Sequence, residues 1–276
     1  MGFWSFLFGA KQKYQVPEFP EAWRSLLRGK ISFYSSLNSE EARRFEQAML
    51  LFLNTTRITG IKTKVEDEDR VAIAASAVIP IFGFPNWSYQ NLDEVLLYPM
   101  HFDADHQIGS KEMAILGMVG YGYMDGKMVL SKKALHHGYA NSSDKQNTAI
   151  HEFVHLLDKQ DGAVDGLPIH LIEEEAVLPW LNLIDAKIHE IKEDESDIRA
   201  YGATNRAEFL AVASEYFFER PALLAEKHPH LYAMLEKLFS QRLKDRKGSK
   251  KVRVTRHFEP CPCGSGKKFR DCCERA

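Results

Sequence analysis

Two groups of residues in this 276-residue chain have the types and spacing that do chemistry. The first is His151-Glu152-Phe153-Val154-His155. On a helix, positions i and i+4 share one face a turn apart, so both imidazoles can reach a single ion while the glutamate beside the first points at a water on that ion. Two histidines and a third ligand leave the fourth position of a zinc ion open, and the ion brings the pKa of its water to about 7. A carboxylate can then take the proton as that water attacks a polarised carbonyl. This is peptide-bond hydrolysis chemistry, with Glu152 as general base. Apolar Ile150, Phe153, Val154, Leu156 and Leu157 surround the motif. Imidazoles and a carboxylate in such company are costly unless they have partners.

The third ligand must come from downstream, and spacing alone leaves Asp158, Glu173, Glu174, Glu175, Glu208 and Glu215 open. Asp158, three residues past His155, suits a carboxylate that orients an imidazole, or a plain helix-end acid, better than a ligand. Glu208 follows Asn205, which can cap a helix and set Glu208 in its first turn among apolar neighbours. For Glu215 an ion pair or a surface position is as good a reading as ligation. His101, His106, His136, His137 and His170 read as surface or hydrogen-bonded histidines.

The second group is Cys261, Cys263, Cys272 and Cys273, which gathers every cysteine of the chain into thirteen positions. Thiolates so close in a reducing compartment favour a closed tetrahedral zinc site, and the metal would fold a segment with little core of its own. With no cysteine left in the body, a disulfide framework is excluded. The sequence therefore predicts two zinc ions, one catalytic and one structural in the tail.

The elements that must hold these groups form a mixed pattern. Glu21 to Leu37 is loosely helical; Asn38 followed by Glu40 and Glu41 caps a second helix whose Phe45, Met49, Phe52 and Leu53 share a face. Ile58 to Val65 alternates as a strand would. Val71 to Val78 is ambiguous, with its alanines favouring helix. Val95 to Tyr98 reads as a strand, and Tyr121 to Tyr123 and Met128 to Leu130 flank the turn pair Asp125-Gly126. The motif helix is expected to open at Asn141 to Asp144, with Ser143 and Gln146 at capping-box spacing, and to stop at Asp161-Gly162. Further helices are expected over Leu171 to Glu193, Asn205 to Glu219 and Ala222 to Arg242. The fold class is α+β, with an α/β amino-terminal part and a helical carboxyl part. The domain division is 1–241 for the body, 242–257 for a basic linker and 258–276 for the cysteine tail.

Charge follows that division. From Arg242 onward there are 12 Lys and Arg against 4 Asp and Glu, whereas the first 241 residues carry 24 against 34. An acidic body thus precedes a basic tail, although the whole chain is only 2 charges from neutral. The basic approach reads first as a solvated linker and second as an attraction for RNA or an acidic partner. The longest apolar run, Val71 to Ile81, is half the length a membrane span requires, which excludes a transmembrane anchor. The aromatic start, Phe3, Trp4, Phe6 and Phe8, lacks the pattern of a secretory signal and is expected to pack on the body. These features together predict a cytoplasmic protein.

His151-Glu152-x-x-His155, the segment Tyr201-Gly202-Ala203-Thr204-Asn205-x-Ala207-Glu208-Phe209 and Ser214-Glu215-Tyr216-Phe217-Phe218 together closely resemble the Mlc titration factor A family of zinc peptidases, over roughly residues 15 to 240. The resemblance implies a zincin fold related to the lethal factor peptidase. It also implies His151, His155 and Glu208 as zinc ligands, Glu152 as base and Tyr201 as a hydrogen-bond donor to the oxyanion. A peptide substrate, aminopeptidase-type activity and, as a regulatory partner, a transcriptional repressor of the Mlc kind follow from the same resemblance. The tail is similar to the SEC-C motif, with Cys261, Cys263, Cys272 and Cys273 all ligating, which implies docking to another protein or the ribosome. The rival reading is a non-catalytic binding protein; against it, Glu152 is needed for catalysis and not for holding metal.

Overall fold

The computed structural model describes residues 18–85, 87–101, 115–120, 122–140, 144–246 and 268. Helix α1 (Glu21–Lys30) and the single turn α2 (Ser32–Ser35) lead into α3 (Ser39–Thr55). Asn38 caps α3, its side chain accepting from the Glu40 and Glu41 amides while Glu41 accepts from Asn38 in return. Phe45, Met49 and Phe52 are buried on one face of α3 as the periodicity requires. Strand β1 (Arg57–Gly60) is shorter than the alternation from Ile58 to Val65 predicts, because the chain turns at Lys62, whose φ is 54°.

The ambiguous alanine-rich stretch is helix α4 (Asp67–Ile81), buried from Val71 to Ile81. Its small side chains let α3 pack closely on one side and the motif helix on the other. Strands β2 (Glu94–Tyr98), β3 (Gly117–Val119) and β4 (Lys127–Ser131) complete a sheet of order β1-β2-β4-β3. The first three in that order are parallel, and β3 returns antiparallel to β4, with Gly117 opposite Leu130 and Val119 opposite Met128. Period-2 alternation sorts the faces: Val95, Leu97, Met128 and Leu130 enter the main core, whereas Tyr98 and Val129 form a smaller cluster on the other side.

The turn pair is where it is expected, Gly126 having a φ of 73°. The returning strand, however, is Gly117–Val119, and Gly122–Met124 forms a 3-10 turn because Gly122 is itself left-handed. Helix α5 (Lys132–Ala140), which no sequence signal announced, connects β4 to the motif helix.

The motif helix α6 (Thr148–Asp158) starts later than expected. Its cap is Asn147, whose side chain accepts from the Ile150 amide at 3.1 Å, while Gln146 lies before the helix and residues 141–143 lie outside the described residues. Its C-terminal stop agrees with expectation: a 3-10 turn over Lys159–Asp161 ends at Gly162, with φ 100°. Helices α7 (Glu174–Lys192) and α8 (Arg206–Glu219) match their predicted spans. The expected final helix is two, α9 (Pro221–Lys227) and α10 (Pro229–Leu238). Pro221 opens the first rather than only closing α8, and Pro229, which has no amide hydrogen to donate, breaks the run at His228.

The architecture is α+β, as predicted. Among the described residues no helix is long and apolar enough to cross a membrane. The aromatic start, most of the basic linker and Cys261, Cys263, Cys272 and Cys273 lie outside the described residues.

Candidate metal centre

Helices α6 and α8 pack against each other, and their facing sides carry the polar residues of an otherwise apolar interface. His151 and His155, one turn apart on α6, both bring Nε2 forward, and these two atoms lie 3.1 Å apart. Glu208 reaches them from the first turn of α8, with Oε2 at 3.0 Å from His151 Nε2 and 3.5 Å from His155 Nε2. Asn205 fixes where that turn begins, its side chain accepting from the Glu208 amide at 2.9 Å. One atom from each of His151, His155 and Glu208 thus converges on one point, and of the expected third ligands the structure brings Glu208 to the histidine nitrogens.

This donor set fits a zinc ion. Zinc-to-nitrogen distances of about 2.0–2.1 Å imply ligand atoms about 3.3 Å apart in a tetrahedral set, within the range seen here. Two facing imidazole nitrogens also have no good hydrogen-bond arrangement with each other unless one holds a proton. The electrostatics agree. Burial pushes the His151 imidazole down, yet the Glu208 and Glu215 carboxylates override it and hold it up at about 10. For Glu208 burial works upward, but its hydrogen bonds to His151 and His155 hold it well below the usual carboxylate range. The pocket therefore calls for a positive charge at its centre.

Glu215 is placed behind the histidines. Its Oε1 accepts from His151 Nδ1 at 2.8 Å and from the Arg199 guanidinium, and its other oxygen accepts from the Asn147 amide. With Nδ1 engaged as donor, His151 turns Nε2 toward Glu208 and His155. The orienting carboxylate is thus Glu215. Asp158 behaves as the helix-end acid of the two readings: Oδ2 accepts from the Gly166 amide at 2.8 Å, and burial raises its carboxyl to about 6. His155 Nδ1 and Asp158 Oδ1 are both buried without a hydrogen bond among the described residues.

Glu152 is buried beside the histidines, and burial raises its carboxyl above the ordinary value against the opposing pull of His151 and His155. Tyr201 sits in a 3-10 turn at Ala200–Ala203. Its ring centroid is 6.0 Å from that of His151, and at 52% exposure it stands on the rim. Burial of the phenol, then the charges of Glu208 and Glu152, push its pKa up to about 12, so it is held as a hydrogen donor.

The turn carrying Tyr201 is anchored two residues before Arg199. Asp197 accepts from Lys145 Nζ at 3.0 Å, from the Tyr216 hydroxyl at 2.9 Å and from His228 Nε2 at 2.7 Å, with Lys227 Nζ at 3.1 Å. The sequence reading missed Glu215 as an orienting group, Arg199 and Asn147. Only the i, i+7 spacing of Glu208 and Glu215 on one helix hinted that both face α6.

Comparison with known proteins finds a family match over most of the chain. The model of the glucose-regulated metallo-peptidase M90 family matches residues 8–240, and the SEC-C motif matches residues 259–275. The Synechocystis protein slr2042 is 29% identical over 241 residues, covering 83% of this chain and 86% of its own. Mlc titration factor A of Escherichia fergusonii is 30% identical over 224 residues, covering 76% and 83%, and that of Enterobacter sp. is 29% identical over 215 residues, covering 73% and 80%.

Proposed function

Since the chain belongs to the glucose-regulated metallo-peptidase M90 family, we propose that it is a zinc-dependent peptidase, of aminopeptidase type, working at the α6–α8 cluster. The observation that carries this reading is the convergence of His151 Nε2, His155 Nε2 and Glu208 Oε2 on one point. These three would hold the ion. Zinc supplies a Lewis acid that polarises the scissile carbonyl and acidifies water.

The protein's own residues supply the rest. Glu152 takes the proton of the attacking water and hands it to the departing amine; burial raises its proton affinity above that of an ordinary carboxylate. Tyr201, neutral and on the rim, donates its phenol hydrogen to the oxyanion as charge develops there. Glu215 keeps His151 in the tautomer that offers Nε2, with Arg199 and the Asn147 amide holding the carboxylate in place.

The SEC-C match supports Cys261, Cys263, Cys272 and Cys273 as ligands of a second, structural zinc, and the tail as a docking element for another protein or the ribosome. The relatives' name, Mlc titration factor A, supports a second role, binding a transcriptional repressor of that kind.

The test is metal content per chain. The full chain should hold two zinc ions, His155→Ala should lose one, and Cys272→Ser with Cys273→Ser should lose the other. A full chain that holds one ion, with no loss in His155→Ala, would leave the tail as the sole metal site and sink the peptidase reading. Free-amine and N-acetylated forms of one peptide then separate aminopeptidase from endopeptidase, since only the first discriminates between them.

A further inference from the structure

Glu152 reaches its position differently from the other members of the cluster. Glu215 fastens His151, and the histidines fasten Glu208, but the Glu152 carboxylate has no hydrogen bond among the described residues. What stands against it is Gly117, the first residue of β3, where the returning strand packs on α6. A Cβ on Gly117 would lie 2.6 Å from both Cγ and Oε1 of Glu152 and 2.9 Å from Cδ. Ordinary carbon contacts need about 3.5–4.0 Å, so a side chain at 117 and the observed Glu152 cannot coexist.

The backbone does not demand glycine there. The described glycines with left-handed φ are Gly122, Gly126, Gly162 and Gly166, whereas Gly117 is a strand residue in ladder register with Leu130. Its missing side chain serves close approach instead.

We infer that Gly117 is a positioning residue for the general base: its bare backbone forms the wall that aims the Glu152 carboxylate. This rests on the zinc-peptidase reading of the site. A base held by packing rather than by donors keeps all its lone pairs for the proton of water. The same arrangement makes the position vulnerable, because the three nearest atoms to an added methyl all belong to one flexible side chain. Alanine at 117 would rotate Glu152 away more cheaply than it would part strand from helix, so the fold and the metal ligands survive while the base is misplaced.

The experiment is Gly117→Ala in the full chain, read by zinc content, by kcat and KM on a peptide that the wild type cleaves, and by a crystal structure. Zinc content is expected to stay unchanged and kcat to fall roughly 100-fold, as for a misplacement of about 1 Å. KM should move by less than about twofold, because ground-state binding is untouched. Glu152→Ala removes all three contacted atoms. The double variant should therefore be no slower than Glu152→Ala alone, a non-additivity that a general weakening of the fold would not produce.

Full kcat in Gly117→Ala, loss of zinc, or two losses that simply multiply in the double variant would each overturn the inference. A wild type that binds zinc yet cleaves no peptide would instead overturn the peptidase reading. The crystal structure of Gly117→Ala then decides the contact by itself: Glu152 turned away from β3 sustains it, and Glu152 unmoved refutes it.

Discussion

Two buried charged clusters lie side by side in this protein, and they are balanced in opposite ways. Around Asp197 a single carboxylate is met by two lysine ammonium groups, an imidazole and a phenol, about one donor for each of its lone-pair sites. Around His151 the count runs the other way, with Glu208, Glu215 and Glu152 set about two histidines whose Nε2 atoms face each other. A cluster that satisfies itself is a clamp. One that leaves lone pairs converging on a point requires a cation from outside, and this contrast, more than burial or perturbed acidity in either place, separates structure from chemistry.

The largest effect should come from the residue that only chemistry needs. Glu152→Gln is expected to leave zinc content intact and slow peptide hydrolysis by about 10²–10⁴-fold; an unchanged rate would erase the distinction between the clusters. Next is Asp197→Asn, which leaves Lys145 and Lys227 without their counter-charge and should cost about 3 kcal/mol in denaturant unfolding while zinc content holds.

The pH dependence of that loss has a defined sign. Despite burial, the surrounding donors hold Asp197 far below the usual carboxylate range. Its stabilisation is therefore complete above the unfolded value of about 3.9 and fades as pH falls toward the native one. Melting curves of wild type and Asp197→Asn should stay apart from pH 7 to 5 and approach each other only below about pH 4.

Smaller is Glu215→Gln, which loosens the hold on His151 and should weaken zinc binding by about 10–100-fold in competition with a chelator. Unaltered affinity would mean that Glu215 belongs with the clamp. Smallest is Asn147→Ala. Losing the cap of α6 should cost about 1 kcal/mol, with melting temperature lowered and hydrolysis nearly unchanged once zinc is saturating, because Glu215 is held there by the backbone amide of residue 147 rather than by its side chain.

Much of this could be read from residue order, and what could not has physical reasons. The i, i+4 histidines, the Asn38 and Asn205 caps and the buried face of α3 are local, set by helix geometry over a few residues. The choice between Glu208 and Glu215 is not local: seven residues put them on the same face of α8, and only the docking of α8 on α6 decides which meets the Nε2 atoms and which meets Nδ1. Asn147 was overlooked because Ser143 and Gln146 show capping-box spacing, although the helix begins where an amide can also reach Glu215. Gly117 carries no signal in sequence, since its reason is an atom thirty-five positions away.

One stretch ties the two clusters together. Asp197, Arg199 and Tyr201 alternate along five residues that lead into the 3-10 turn, the first seated in the clamp, the second against Glu215 and the third beside His151. Surface loops ordinarily absorb inserted residues without penalty. Here a single insertion or deletion would shift two of the three side chains out of register with a fixed third, so the length of this segment, rather than its composition, limits how the protein can be altered by grafting or design.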